Sequence, residues 1–126
     1  MAVSRPILIG AIIVLCIVFL MWSNPLRESE ENIRNYVLER TPLGSDFSEV
    51  LTVIRENKWT VIFVNESSGF YHQGRKEPTV IGQKSIRASL GDYQDIPFRA
   101  NVTVFWGFDD EGRLLDIWVW KTWNGL

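Results

Sequence analysis

The chain has 126 residues, with 13 Lys/Arg against 15 Asp/Glu, one cysteine and one histidine. No basic run or stripe interrupts that slight acidity, which argues against nucleic acid as a partner. One cysteine (Cys16) and one histidine (His72) are too few for a disulfide framework or a His/Cys metal site, so neither a metal nor another cofactor is expected.

Residues 6–22 run for seventeen positions without a charge. As a helix this run is about 25 Å long, near the lower limit for crossing a hydrocarbon core. A cleaved signal needs small residues after the apolar stretch, whereas Leu20-Met21-Trp22-Ser23-Asn24-Pro25 has no small-x-small pair. A lipoprotein signal needs a small residue before Cys16, where Leu15 stands. The favoured expectation is an uncleaved, single-pass signal anchor over 1–23 that meets membrane lipid through residues 6–22. Arg5, with no acid beside it, places the N-terminus in the cytoplasm by the positive-inside rule. Residues 24–126 then form an extracytoplasmic, periplasmic domain on the inner membrane.

Two helices are predicted next. Asn24-Pro25 supplies a cap and a first-turn proline, and Leu26, Ile33, Tyr36, Val37 and Arg40 fall on one side. Thr41-Pro42 ends that helix. Asp46-x-x-Glu49 forms a start resembling a capping box. Phe47, Val50, Leu51 and Ile54 then repeat as one amphipathic face.

From Trp59 the period changes to two. Trp59–Val64 is β-branched and aromatic and reads as a strand. Residues 65–83, rich in Ser, Gly and Pro, read as a long loop with room for a short strand near Val80. Ser85–Leu90, Arg99–Phe108 and Leu114–Trp123 alternate and read as further strands, the last two joined by the turn Asp109-Asp110-Glu111-Gly112. The expected fold class is α+β: an N-terminal transmembrane helix, then two helices packed on one face of a three- to four-stranded antiparallel meander.

Two stretches carry a resemblance. Gly44-Ser45-Asp46-Phe47-Ser48-Glu49-Val50 with Val53-Ile54 resembles the second-helix pattern of the SmpA/OmlA family, the BamE-like outer-membrane assembly lipoproteins. Phe108-Asp109-x-x-Gly112-Arg113-Leu114 is similar to that family's last hairpin, although the family's lipobox is absent. The tail, Val104-Phe105-Trp106 and Ile117-Trp118-Val119-Trp120, resembles small bacterial membrane proteins. The resemblance implies a fold shared with protein-binding modules, β-lactamase-inhibitor-like domains included, and no enzymatic activity.

Catalysis by a nucleophile needs a base and an orienting group beside it. His72 has only Ser67 and Ser68 near in sequence, with no motif that strains either serine into reach. The acids at 109–111 lack the ligand spacing of a calcium loop and read as a solvated turn. The aromatic faces say more. Ala100, Val102, Val104, Trp106 and Phe108 share one face, as do Leu115, Ile117 and Val119, and both sets are assigned to the core. The opposite face then carries Phe105, Trp118 and Trp120, with Arg87 beside them. These four are the expected partner-binding residues, because Trp and Arg anchor interfaces and a patch of several hundred Å² is rarely left bare. The alternative is that the loop covers this face. The expectation is a non-catalytic protein-interaction module of the bacterial cell envelope with an envelope protein as partner. An inhibitor or immunity-type protein would instead insert Tyr71, His72 and Arg75 of the 65–83 loop. A small hydrolase around His72 is the least supported reading.

Overall fold

The computed structural model describes residues 10–14 and 24–124. Residues 10–14 are helical, and Ile12, Ile13 and Val14 are exposed. Among the described residues no helix is long and apolar enough to cross a membrane. That corrects the expected transmembrane helix, and with it the single-pass anchor and the inner-membrane address. A span needs about 20 helical residues, and an uncharged run fixes hydropathy without fixing the length of the helix that carries it. The rest of the 6–22 run lies outside the described residues.

The remainder is α+β. A short 3₁₀ turn, Pro25–Arg27, is capped by the Asn24 side chain and stops at Glu28. The helix α1, Glu30–Arg40, makes a fresh start at Ser29, whose hydroxyl accepts the Asn32 N–H at 3.1 Å. The single helix expected from Asn24 is thus two elements, because Ser29 is itself a good cap. The helix α2, Phe47–Glu56, begins at Asp46, yet the Asp46 side chain makes no cap hydrogen bond. Instead the Phe47 N–H donates to the Gly112 carbonyl at 2.8 Å, so a neighbouring turn satisfies the helix start.

Six strands follow: β1 Thr60–Asn65, β2 Phe70–His72, β3 Thr79–Ile81, β4 Lys84–Asp95, β5 Phe98–Phe108 and β6 Leu114–Asn124. The main sheet is antiparallel in the order β1-β4-β5-β6, while β2 and β3 form a separate two-stranded sheet. The segment expected as a loop is therefore largely a hairpin, inserted between two neighbouring strands.

The helices cover one face. Ile33 and Val37 of α1 and Val50 and Ile54 of α2 pack on Ile86, Ala88, Val102, Val104, Trp106, Phe108, Leu114, Ile117 and Val119. Each such side chain contributes roughly 1.5–3 kcal/mol when fully buried. Trp106 is anchored within this core: its indole N–H donates to the Thr41 hydroxyl at 3.1 Å, and Trp59 stacks on it at 6.2 Å. Leu115 is exposed and Leu114 buried, against the expected alternation. The register shifts between Gly107 and Phe108, so that Gly107 faces Asp116 while Phe108 already faces Leu114. A β-bulge of this kind moves every residue beyond it to the other face.

Candidate binding site

The other face of the sheet is aromatic, and register builds it. Phe63 on β1 faces Arg87 on β4, Arg87 faces Phe105 on β5, and Phe105 faces Trp118 on β6. One transverse row thus crosses all four strands. Directly opposed side chains in a sheet touch, which explains the contacts along the row. Phe105 and Trp118 stack at 4.9 Å, Trp118 and Trp120 at 5.4 Å, and the Arg87 guanidinium lies 5.0 Å from the Phe105 ring centre.

The β2–β3 hairpin covers part of this face. Phe70, buried, meets Phe105 at 5.7 Å, and His72 stacks on Trp118 at 4.6 Å. The Ser85 hydroxyl donates to the Ser68 carbonyl at 3.0 Å, tying the hairpin's base to β4. Gly107 is its seat: a Cβ there would stand 2.9 Å from Phe70 Cε1 and from Ile81 Cγ2. Phe105, Trp118, Trp120 and Arg87 consequently come together as one cluster, half-buried rather than open. Between the hairpin and the sheet remains a cavity of about 300 Å³, lined among others by Phe63, Arg87, Phe105, Trp118 and Trp120.

Arg87 is unusual within it. Its Nε is buried and has no hydrogen-bond partner among the described residues. The ion pairs there use Arg34, Arg75, Arg99 and Arg113, and none uses Arg87.

The loop candidates behave differently from one another. Tyr71 is exposed. Arg75 is tied down, its guanidinium 3.1 Å from Asp116 Oδ2, while Arg34 of α1 holds Asp116 Oδ1 at 2.8 Å. One carboxylate thereby joins helix, sheet and hairpin. His72 accepts the Gly74 N–H on Nδ1 at 3.2 Å. Burial holds its pKa below the ordinary imidazole value, the Arg75 charge adds to that lowering, and Asp116 opposes it. Ser67 and Ser68 donate to Asn65 Oδ1 and the Gly69 carbonyl, so neither hydroxyl is engaged by His72. Among the described residues no group of three or more His, Cys, Asp or Glu is arranged to hold a metal ion.

Sequence reasoning passed over a second feature. β1 is an edge strand, and Val61, Ile62, Phe63 and Val64 are all exposed, Ile62 at 48% and Phe63 at 57%. The signal was present, since Thr60–Asn65 holds no charge, proline or lysine. Strand order decides whether such a segment is central or marginal, and order is a long-range property. The two stretches that resemble the SmpA/OmlA pattern also meet: Asp46 bridges Arg113, and the Leu114 N–H donates to the Ser45 carbonyl at 2.9 Å. The chain matches no family model, no curated protein and no solved structure.

Proposed function

We propose that this domain is a non-catalytic protein-binding module that accepts an extended partner segment along β1. One observation carries the reading: β1 is unpaired on its outer side among the described residues and presents four consecutive exposed apolar side chains. Edge strands are normally blunted by charge, proline or a covering loop, because free N–H and C=O groups template pairing with another chain. β1 has neither charge nor proline. Addition of a strand supplies main-chain hydrogen bonds, and exposed side chains on both faces supply the grip. The aromatic row begins at this same strand with Phe63, so the cluster lies beside the docking edge.

The inhibitor-type reading has less support, since His72 is stacked on Trp118 and Arg75 is held by Asp116, which leaves Tyr71 alone to insert elsewhere. A hydrolase around His72 would need a nucleophile that the local hydrogen bonds do not offer it.

The test is affinity capture from the source cells' lysate with wild type, Ile62→Lys, Phe63→Lys and a control, Leu115→Lys, each checked for folding by circular dichroism. A partner held by wild type and Leu115→Lys and lost by both edge variants supports edge docking. A partner retained by the folded edge variants sinks it.

A further inference from the structure

We infer that the partner segment carries an acidic residue, Asp or Glu, whose carboxylate enters the cavity beside β1 and pairs with Arg87. The inference rests on the edge-docking reading and names the partner's chemistry. Arg87 sits in the transverse row between Phe63 and Phe105, one strand in from the edge. Phe63 and Asn65 of β1 both line the cavity, so it adjoins the docking edge.

Charge is the central argument. The protein carries a formal net charge of −2, yet among the described residues that line this cavity there is no acidic side chain and Arg87 is the one charged group. Arg87 is half-buried, but its Nε–H is a buried donor with no acceptor among the described residues, and leaving a buried donor unsatisfied is costly. The Phe105 ring face offsets part of that cost. It supplies no acceptor for the N–H groups. A carboxylate does, and Arg binds carboxylates through two parallel hydrogen bonds. A neutral apolar residue would fill the space and leave the guanidinium as it stands. A lysine or arginine from the partner would be repelled.

The pleat of the sheet sets the rest of the motif. A segment paired with β1 places alternate side chains on the aromatic face and the intervening ones on the helix face. Phe63 opposes Arg87 on the aromatic side, and a register shift between Val61 and Phe63 sets both Val61 and Val64 opposite residues of the core side, Ala88 and Ile86, where they are themselves exposed. The expected segment alternates accordingly: an acid toward Arg87, flanked by apolar residues that cover Val61 and Val64.

The probe is a phage-displayed library of random heptapeptides, selected on wild type, Phe63→Lys, Arg87→Lys and Arg87→Gln. Expected is enrichment of apolar-acid-apolar peptides on wild type. Changing the acid to its amide in a selected peptide should weaken wild-type binding at least tenfold. On Arg87→Gln the acid and amide peptides should bind within twofold of each other, while Arg87→Lys keeps a partial preference. If Arg87→Gln fails to fold, the acid-to-amide pair on wild type still decides. Peptides selected on wild type and lost on Phe63→Lys, but without acid bias, overturn the acidic residue and leave edge docking intact. Failure of any peptide to enrich over an uncoated control overturns both.

Discussion

The imidazole of His72 lies against the indole of Trp118, with centroids 4.6 Å apart and planes 21° from parallel. This stack fastens the hairpin to β6, and it ties a titratable group to the fold. Because burial first, and Arg75 second, lower the His72 pKa, the folded protein holds fewer protons than the unfolded chain just below the ordinary value of 6.5. Stability from this source is therefore full above 6.5 and declines as pH falls from 6.5 through the lowered folded value. Urea midpoints measured from about pH 7.5 down to about pH 5 should fall more steeply for wild type than for His72→Phe, which keeps the stack and cannot titrate. Equal slopes would remove His72 as the source.

Asp116 is the only carboxylate among the described residues held by two arginines, Arg34 and Arg75. Both pairs are partly exposed, and such pairs are worth about 0.2–1 kcal/mol each. Asp116→Asn keeps the shape and an acceptor for the Ile117 N–H, which bonds Oδ1 at 2.8 Å. The expected loss is about 1 kcal/mol, shrinking with added salt. Amide exchange should speed up in β2 and β3 well before it changes in β5. Uniform acceleration across the sheet would mean that Asp116 supports the whole domain rather than the hairpin.

Much of this architecture was legible because it is periodic. Val102, Val104, Trp106 and Phe108 alternate in sequence and are buried together, and Val50 and Ile54 keep helical spacing into the same core. Gly112 adopts φ +81° in the turn read at residues 109–112, a region that few residues other than glycine tolerate. Features set by distant partners were not legible. The burial of Leu114 in place of Leu115 depends on a register shift at Gly107. Residues 65–83 resemble a loop by composition, but Phe70 is buried on a surface built by the pairing of β4 with β5. At the site, register placed Phe105, Trp118, Trp120 and Arg87 together, as their alternation implies. Among the described residues, the free edge of β1 and the unpartnered Nε of Arg87 follow from strand order and neighbouring groups, which a local pattern does not encode.

The core side offers a test that leaves the site untouched. The Thr41 hydroxyl is buried, donates to the Val37 carbonyl at 2.9 Å and accepts the Trp106 indole N–H. Thr41→Val preserves volume and strands that N–H. An unsatisfied buried donor costs about 1–3 kcal/mol. The urea midpoint should drop by the corresponding amount with an unchanged m-value, as expected when the surface exposed on unfolding is the same. A neutral outcome would mean that the indole finds another acceptor.

Gly107 separates the two faces most cleanly. A methyl group there meets the Ile81 side chain and carbonyl oxygen and the Phe70 ring, each at 2.9 Å, and both residues belong to the hairpin. Overpacking of this kind typically costs about 1–3 kcal/mol, and the strain is relieved most easily by lifting the less deeply packed element. In Gly107→Ala the hairpin should rise from β5, uncovering Trp118 and Trp120. Tryptophan emission should shift to the red while far-ultraviolet circular dichroism stays nearly unchanged, because the helices hold the four-stranded sheet from its opposite face. Trp118→Ala removes the same contact from below and takes the partners of His72, Phe105 and Trp120 with it. It should destabilise the domain by about 2 kcal/mol, less than the roughly 3–5 kcal/mol lost with a fully buried large aromatic, because Trp118 is half-buried. A partner lost on Trp118→Ala alone would thus report a loosened hairpin as readily as a missing contact. Residues on β1, whose side chains support little else, are the sharper probes of binding.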